Sequence, residues 1–462
     1  MSDDYEHGAK ETSIPSLYGI VNNNIKAIIR LSSPIIVSRT GILLIVTSDT
    51  LMVGNFSSTE LAYQAIGLAV IIPLLLGSLG LIMGTMVISA NAFGAGEYAN
   101  CGAAWRRSIL YALLLGIIGC GVGWFGEPIL KLLGQSSDLA AGGGKITLII
   151  GLGLPPNLLF LSTMLFLESI KRPMPGMVLM IIANILNILL NYFFIYGTAL
   201  SSPMGAEGAA WATTVSRVFL CISIVSYVWW MRDHDLFAVR IKPTGDFYSW
   251  RAQRRIGYAT GISIGIESLS FAALNVFAGW LGPLVLASYT IAFNLIALVF
   301  MFATGLGTAT AVLVGIAYGQ KNLRGMAWAG WTGLALNTVI MLLFGIIFYF
   351  FPSAIAHFYS SDKAVISILV PLISLSAFII TLDGGQAVIS NALRGRRDVW
   401  VPSLIQFFSF FVIMVAAAHF LAFTDGQAEI GLFKGVIIGA MCSIFLHGTR
   451  FYWLIRKDKN AF

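Results

Sequence analysis

About twelve stretches of predominantly apolar residues follow one another along the chain, separated by short polar connections. They fall at residues 31–53, 61–90, 108–126, 146–168, 176–197, 208–230, 258–281, 286–316, 328–351, 366–393, 402–422 and 433–455. Runs of about 20 such residues span a bilayer as helices. Inside lipid a helix satisfies its own backbone donors and acceptors, which an open strand cannot do. Composition agrees. Of 462 residues, 57% are hydrophobic and 11% charged, against roughly 25% charged in soluble domains. The 48 glycines suit close packing of membrane helices. A soluble enzyme is excluded.

The formal charge of +7 does not indicate nucleic acid, because the basic residues sit in short runs between apolar stretches. With both termini inside, about 22 Lys and Arg lie in cytoplasmic segments, including Arg106–Arg107, Lys171–Arg172 and Arg394–Arg396–Arg397. Four lie outside: Lys131, Lys145, Lys363 and Lys434. Positive-inside bias selects that orientation. The N-terminal segment has no basic region followed by a short apolar core, so no signal peptide is expected. Cys101, Cys120, Cys221 and Cys442 lack metal-ligand spacing, and most lie in apolar runs, against a disulfide framework or zinc site.

The longest polar connection falls at the middle of the chain. The segments predicted are a cytoplasmic N-terminal stretch at 1–30, a first lobe at 31–231, a linker at 232–256, a second lobe at 257–455 and a tail at 456–462. A shift of 225 residues aligns LAYQAIGLAVIIPLLLGSLGLIMGTMVISANAFG, from Leu61, with LASYTIAFNLIALVFMFATGLGTATAVLVGIAYG, from Leu286. About nine of 34 positions are identical, among them Gly80/Gly305 and Gly94/Gly319. The same shift pairs Lys171–Arg172 with Arg396–Arg397. Six helices separate the equivalent positions, so the repeats run parallel and a pseudo-two-fold axis lies along the membrane normal. The expected fold is an all-α membrane protein with two pseudo-symmetric six-helix lobes around a central cavity.

Charged groups at membrane depth cost about 2.5–3.5 kcal/mol on insertion scales and mark function. Glu267 lies about ten residues into its run and Asp383 lies before Gly384–Gly385, which are expected to break the helix and free backbone groups near the carboxylate. Asp49 sits about one turn from the outer end of its run, a position equally suited to hydration and to function. Asn187 and Asn191 share a helix face and serve as interhelical glue or as partners of a carboxylate or cation. Arg39 and Arg217 are counter-ions to these acids or donors to carbonyls across helices; the second, structural role is favoured. Pro155–Pro156 predicts a kink. His357, His419 and His447 are read as structural. No P-loop is present, so power comes from an ion gradient or a partner.

These stretches, notably SDTLMVGNFSSTELAYQAIG, GTMVISANAFGAG, ESLSFAALNVFAGWLGPLVLASYTIAFNLIALVFMFATGLGTATAVLVG and LDGGQAVISNALRGRRD, resemble the multidrug and toxic compound extrusion (MATE) family, closest to its NorM-type bacterial antiporters. The resemblance implies twelve helices in two lobes. It also implies export of small organic compounds, often cationic, across the bacterial inner membrane in exchange for protons or sodium, by a monomer without a cofactor. It assigns Asp49, Glu267, Asp383, Asn187 and Asn191 to ion coupling and substrate binding. A sodium ion at Glu267 and Asp383 would be expected from relatives that place a Tyr one turn before the helix 10 Asp. Here that residue is Ile379, which leaves proton and sodium both open. Lipid is the expected surroundings and nucleic acid is not a partner. A lipid-linked sugar flippase shares the fold but usually needs a basic cavity, and a membrane transferase needs a His/Asp or metal constellation that the sequence lacks.

Overall fold

The computed structural model describes residues 17–197, 202–241 and 250–459, with side chains for 22–197, 202–241 and 250–458. The predicted N-terminal segment, central linker and tail lie partly outside the described residues. Among the described residues eleven helices are long and apolar enough to cross a membrane, and a bent pair makes a twelfth. They are α1 Leu17–Phe56, α2 Ser58–Gly94, α3 Tyr98–Trp124, α4 Ser137–Leu152 with Leu154–Ser169, α5 Met174–Tyr196, and α6 Gly205–Trp230. The second half follows with α7 Arg251–Trp280, α8 Pro283–Gly319, α9 Leu323–Phe350, α10 Lys363–Gly395, α11 Trp400–Thr424, and α12 Ala428–Lys459. With the bent pair counted as one crossing, the first and last described residues lie on the same side, here termed the terminal side.

Local chemistry fixes the ends. Ser57 accepts from the Glu60 amide to start α2. Asn322 accepts from the Gly325 amide at 2.8 Å to start α9, and Asp362 from the Ala364 amide at 2.8 Å to start α10. Each is an N-cap for donors that the first turn leaves orphaned. The halves of α4 meet at 42°, with Pro155–Pro156 opening the second half. Proline lacks the N–H that would continue the ladder, so the kink falls where expected. Aliphatic residues such as Leu114, Ile117, Leu343 and Ile346 are exposed on outer faces, as lipid contact requires.

Each half has its own apolar core. Phe160, Phe166 and Met180 anchor the first, and Leu372, Phe410 and Phe433 the second. The halves meet by exchange of equivalent helices: α1 packs on α8, α7 on α2, and α2 on α8. The close approaches repeat the 225-residue frame. A Cβ on Gly80 would lie 2.5 Å from Gly261 Cα, and one on Gly305 would lie 3.1 Å from Ile36 Cα. Ile36 and Gly261 are themselves equivalent. Gly94 likewise abuts Ile316, while Gly319 abuts Asn91, the residue 225 before Ile316. All four glycines lie in the terminal-side halves of α2 and α8. Asn91 ties this junction by donating to Gly315 O at 3.2 Å and Gly395 O at 3.0 Å and accepting from Arg397 Nε.

The frame slips once. After α4, Lys171 is left-handed (φ 60°), and after α10 it is Arg397 (φ 68°). Their flanking bonds also correspond: Arg172 N to Leu167 O, and Asp398 N to Leu393 O. The backbone therefore pairs Lys171 with Arg397, one residue beyond the pairing that the constant shift gives. An added residue in the second half accounts for the slip.

Candidate functional site

Asp49 is buried. Because α1 continues to Phe56, the carboxylate lies seven residues, about 10 Å, inside that end. This removes the interfacial, hydrated alternative. Asn191 donates to its Oδ1 at 2.6 Å and the Thr213 hydroxyl donates to its Oδ2. A second layer holds these donors. The Asn191 amide also reaches Asn187 Oδ1 at 3.2 Å, Asn187 donates to Thr213 at 3.3 Å, and Ser48 donates to Asn187 at 3.2 Å. The one-turn spacing of Asn187 and Asn191 puts both amides at the α1–α5–α6 junction, where Asp49 and Thr213 meet them. Beside them is a cavity of about 20 Å³ bounded by Asp49, Gln64, Thr213 and Arg217 and by apolar side chains. Gln64 Oε1 and Asn191 Oδ1 are buried without partners. A carboxylate in such a place is kept ionised only by donors, or is relieved of its charge by a proton or cation.

The second half holds a different arrangement. Glu267 is half-buried and accepts from Gln406 at 2.8 Å. Gln406 immediately precedes a π-helical segment, Phe407–Met414, and such wide turns re-aim side chains at functional places. Asp383 is buried and accepts from Gln386 at 3.1 Å. Asp383 and Arg394 are the charged neighbours of Glu267. Arg394 donates to Ser263 at 3.2 Å, one turn before Glu267. Beyond Asp383, Gln386 Oε1 receives Ser443 at 3.4 Å, and Ser443 neighbours His447 Nδ1 at 3.2 Å. Around this cluster, both side-chain polar atoms of Asn337 are buried without partners, as are Gln406 Oε1 and Ser390 Oγ. Among the described residues no group of three or more His, Cys, Asp or Glu is placed to hold a metal ion. Ile379 belongs to the apolar core.

Several expectations change. Gly384–Gly385 do not break α10, which is continuous through Gly395. Instead they admit neighbours: a Cβ on Gly384 would lie 3.1 Å from Asn337 Nδ2, and one on Gly385 would lie 2.5 Å from Ile444 Cδ1. Arg394 is not a loop cation but a buried residue in the last turn of α10. Arg39 is not a counter-ion to Asp49, Glu267 or Asp383. It pairs with Glu168, also buried, at 3.2 Å from each carboxylate oxygen. Arg217 takes the carbonyl-donor role, reaching Ile150 O at 3.4 Å, and also lines the cavity that Asp49 lines. Thus Asp49, Asn187 and Asn191 are brought together, Glu267 and Asp383 form a second group, and the two groups belong to different lobes. Thr213, Gln64, Gln386, Gln406, Glu168 and Arg394 were not foreseen. Isolated polar residues within apolar runs, as in SLIQFFSFF and GAAWATTVSRVF, were the available signal.

A family model described as MatE matches residues 34–193 and again 260–419. The second match begins 226 residues after the first, the offset that the α4 and α10 turns give. The chain is 32% identical over 444 residues to a probable multidrug resistance protein NorM of Caulobacter vibrioides, covering 96% of this chain and 94% of that one. It is 30% identical over 452 residues to the multidrug resistance protein PmpM of Pseudomonas aeruginosa, covering 96% and 92%. Among solved structures it resembles an outward-facing multidrug resistance MATE family transporter of the MOP superfamily, with a TM-score of 0.87 and 22% identity, covering 95% of this chain and 97% of that one. A crystal structure of MATE in the straight conformation also gives a TM-score of 0.87, at 20% identity, with the same 95% and 97% covered.

Proposed function

The chain belongs to the MatE family, and on that footing we propose that it is a secondary exporter of small organic compounds, driven by exchange for an ion. The reading is supported by relatives named for multidrug resistance. One observation carries it: a buried carboxylate in each half is met by an amide side chain, joined at Asp49 by the Thr213 hydroxyl, beside orphaned polar atoms. Such a group can exchange one positive partner for another at little structural cost. Asp49, with Asn187, Asn191 and Thr213, is the first exchange site, and Glu267 with Asp383 is the second. The substrates are cationic or amphipathic compounds that enter between the lobes. Both termini face the cytoplasm of a bacterial cell, as the basic loops require, and the protein works in the inner membrane.

The cycle is competition. With the lobes parted on the outer side, an ion neutralises the carboxylate and the cationic substrate leaves. With them parted on the inner side, the ion leaves and a substrate binds. The junction of Gly80, Gly94, Gly305 and Gly319 is the contact that must open and re-form. A hundredfold accumulation costs about 2.8 kcal/mol. One charge moving through about 100 mV supplies about 2.3 kcal/mol, but one-for-one exchange of monovalent cations moves no net charge. Strong export of a cation against the voltage then needs more than one ion per turnover or a steep ion gradient.

The test is ethidium efflux from proteoliposomes under separately imposed proton and sodium gradients, for the wild type and for Asp49→Asn, Glu267→Gln and Asp383→Asn. Ion-driven efflux that the amide variants abolish supports the proposal. Efflux unchanged in all three would remove these acids from the mechanism. Absence of ion-dependent flux in the wild type would favour a flippase.

A further inference from the structure

We propose that Arg217 is a tethered cation standing where a metal ion would otherwise stand, so that the first-lobe site exchanges protons and excludes sodium. The proposal rests on the reading that Asp49 carries the coupling ion, and it names which ion that is.

The geometry is local. Thr213 and Arg217 are four residues apart on α6 and so project from one face. Thr213 donates to Asp49, and both residues wall the cavity of about 20 Å³. That space accommodates about one water molecule. The guanidinium has five donors, yet the hydrogen bond found for it is a long one to Ile150 O at 3.4 Å. It is therefore seated at the cavity without being locked to its own helix packing. Arg217 is the cationic side chain that lines the cavity together with Asp49. The elements that pack around Asp49 otherwise present neutral groups: Gln64 from α2, Asn187 and Asn191 from α5, and Thr213 from α6. Glu60, Lys145 and Glu207 are engaged elsewhere, in a Lys145–Glu207 pair at 2.9 Å and a Glu60 bond to the Ala206 amide at 2.8 Å.

The consequence follows from size and charge. A sodium ion needs several oxygens around it and room to sit among them. The two Asp49 oxygens already receive Asn191 and Thr213, and a fixed positive charge shares the one small space beside them. Unit charges a few ångströms apart repel strongly at a protein-like dielectric. A proton needs one lone pair and no volume. When Asp49 takes it, the attraction holding Arg217 at the cavity is lost; when the proton leaves, Arg217 compensates the carboxylate again. Removing the guanidinium should therefore open the site to sodium. A glutamine there would add an oxygen ligand as well.

The experiment uses the full chain in proteoliposomes, with ethidium efflux measured under a proton gradient without sodium and under a sodium gradient at matched pH. It is paired with radioactive sodium binding to the purified protein. The wild type should respond to the proton gradient, and Asp49→Asn should leave unchanged any sodium that the protein binds. Arg217→Gln should gain about tenfold stimulation by sodium and bind it. Arg217→Lys should keep the wild-type ion preference, and Asp49→Asn added to Arg217→Gln should erase the gain. Sodium binding by the wild type that Asp49→Asn abolishes would overturn the assignment, a readout that needs no Arg217 variant to fold. A folded Arg217→Gln protein that binds no sodium would overturn it too. Wild-type protein that moves ethidium under neither gradient would fail earlier, at the exporter reading itself, and the assignment would fall with it.

Discussion

The two halves agree most closely where they touch and least where they hold charge. Gly80 and Gly305 occupy equivalent places at the junction, and the exposed Gly96 and Lys321, just beyond α2 and α8, are equivalent and both left-handed at φ 77° and 55°. The acids obey no such rule. The position equivalent to Asp49 is Leu274, a core residue of the second lobe, and that equivalent to Glu267 is Ile42, packed on the core of the first. The last turns of α4 and α10 go further, because the pairing of Lys171 with Arg397 also pairs Glu168 with Arg394. One helix-to-helix approach is thus bridged by opposite charges, Glu168 to Arg39 on α1 and Arg394 to Ser263 on α7. Repetition supplied a scaffold that must stay symmetric to close. These charged groups were free to diverge because the hydrogen-bond partners of Asp49, Glu267, Asp383, Glu168 and Arg394 lie within their own lobes.

The sharpest way to break this comparison is to delete the two opposed charges. Glu168→Ala leaves the Arg39 guanidinium without its anion, and breaking a buried pair costs about 3–5 kcal/mol. Arg394→Ala removes a cation hydrogen-bonded to neutral Ser263 and Asn391, with Glu267 as a neighbour but not as a direct ion-pair partner, so the loss is smaller, about 1–3 kcal/mol. Thermal unfolding of the detergent-solubilised protein measures both. Equal losses would mean that the two bridges are energetically one device despite their opposite signs. Replacing the pair together, as Arg39→Met with Glu168→Leu, should recover most of the stability lost by Glu168→Ala.

These bridges also mark the limit of what the chain reveals before folding. Helix number, the kink at Pro155–Pro156, the parallel repeat and the acids at 49, 267 and 383 are legible because hydrophobic period and stray charge are one-dimensional signals. Arg394 was hidden by its neighbours. It sits beside Arg396 and Arg397, and a basic run at a helix end reads as a loop. Glu168 was hidden for a like reason, close before Lys171–Arg172. Gly384–Gly385 misled because glycine weakens an isolated helix, whereas in α10 the neighbouring side chains of Asn337, Met341 and Ile444 fill the space that glycine leaves. Which partner a buried group finds depends on helices that meet only in three dimensions.

The two carboxylate clusters differ in redundancy, and that gives a second comparison. Asp49 has two direct donors and Asn187 in reserve behind Thr213, whereas Gln406 is the donor found at Glu267. A hydrogen bond to a charged group contributes about 1.5–3 kcal/mol. Gln406→Leu should therefore lower ion-driven efflux about tenfold or more. Thr213→Val should lower it about threefold, because Asn187, released from Thr213, can turn to Asp49. Rates from the same proteoliposome assay decide it, and a larger loss for Thr213→Val would reverse the order of redundancy argued from the hydrogen bonds.

The smallest expected difference concerns the symmetric junction itself. Gly80 and Gly305 are equivalent, yet their neighbours are not alike. An added Cβ at Gly80 would meet the backbone of Gly261 at 2.5 Å and 2.8 Å. Backbone in two packed helices cannot turn aside, so the lobes themselves must part. At Gly305 the nearest atom is Ile36 Cγ1, with the Ile36 backbone at 3.1 Å. A side-chain rotation with a small backbone adjustment relieves that contact. Overpacking costs about 1–3 kcal/mol, so Gly80→Ala should fall within that range and Gly305→Ala below about 1 kcal/mol. Because the strain falls on the terminal-side junction of the lobes, Gly80→Ala should also raise the reactivity of a cysteine placed at Ala309, on the α8 face against the first lobe. Equal reactivity in both alanine variants would show that the junction responds as a symmetric body despite the asymmetry of its side chains.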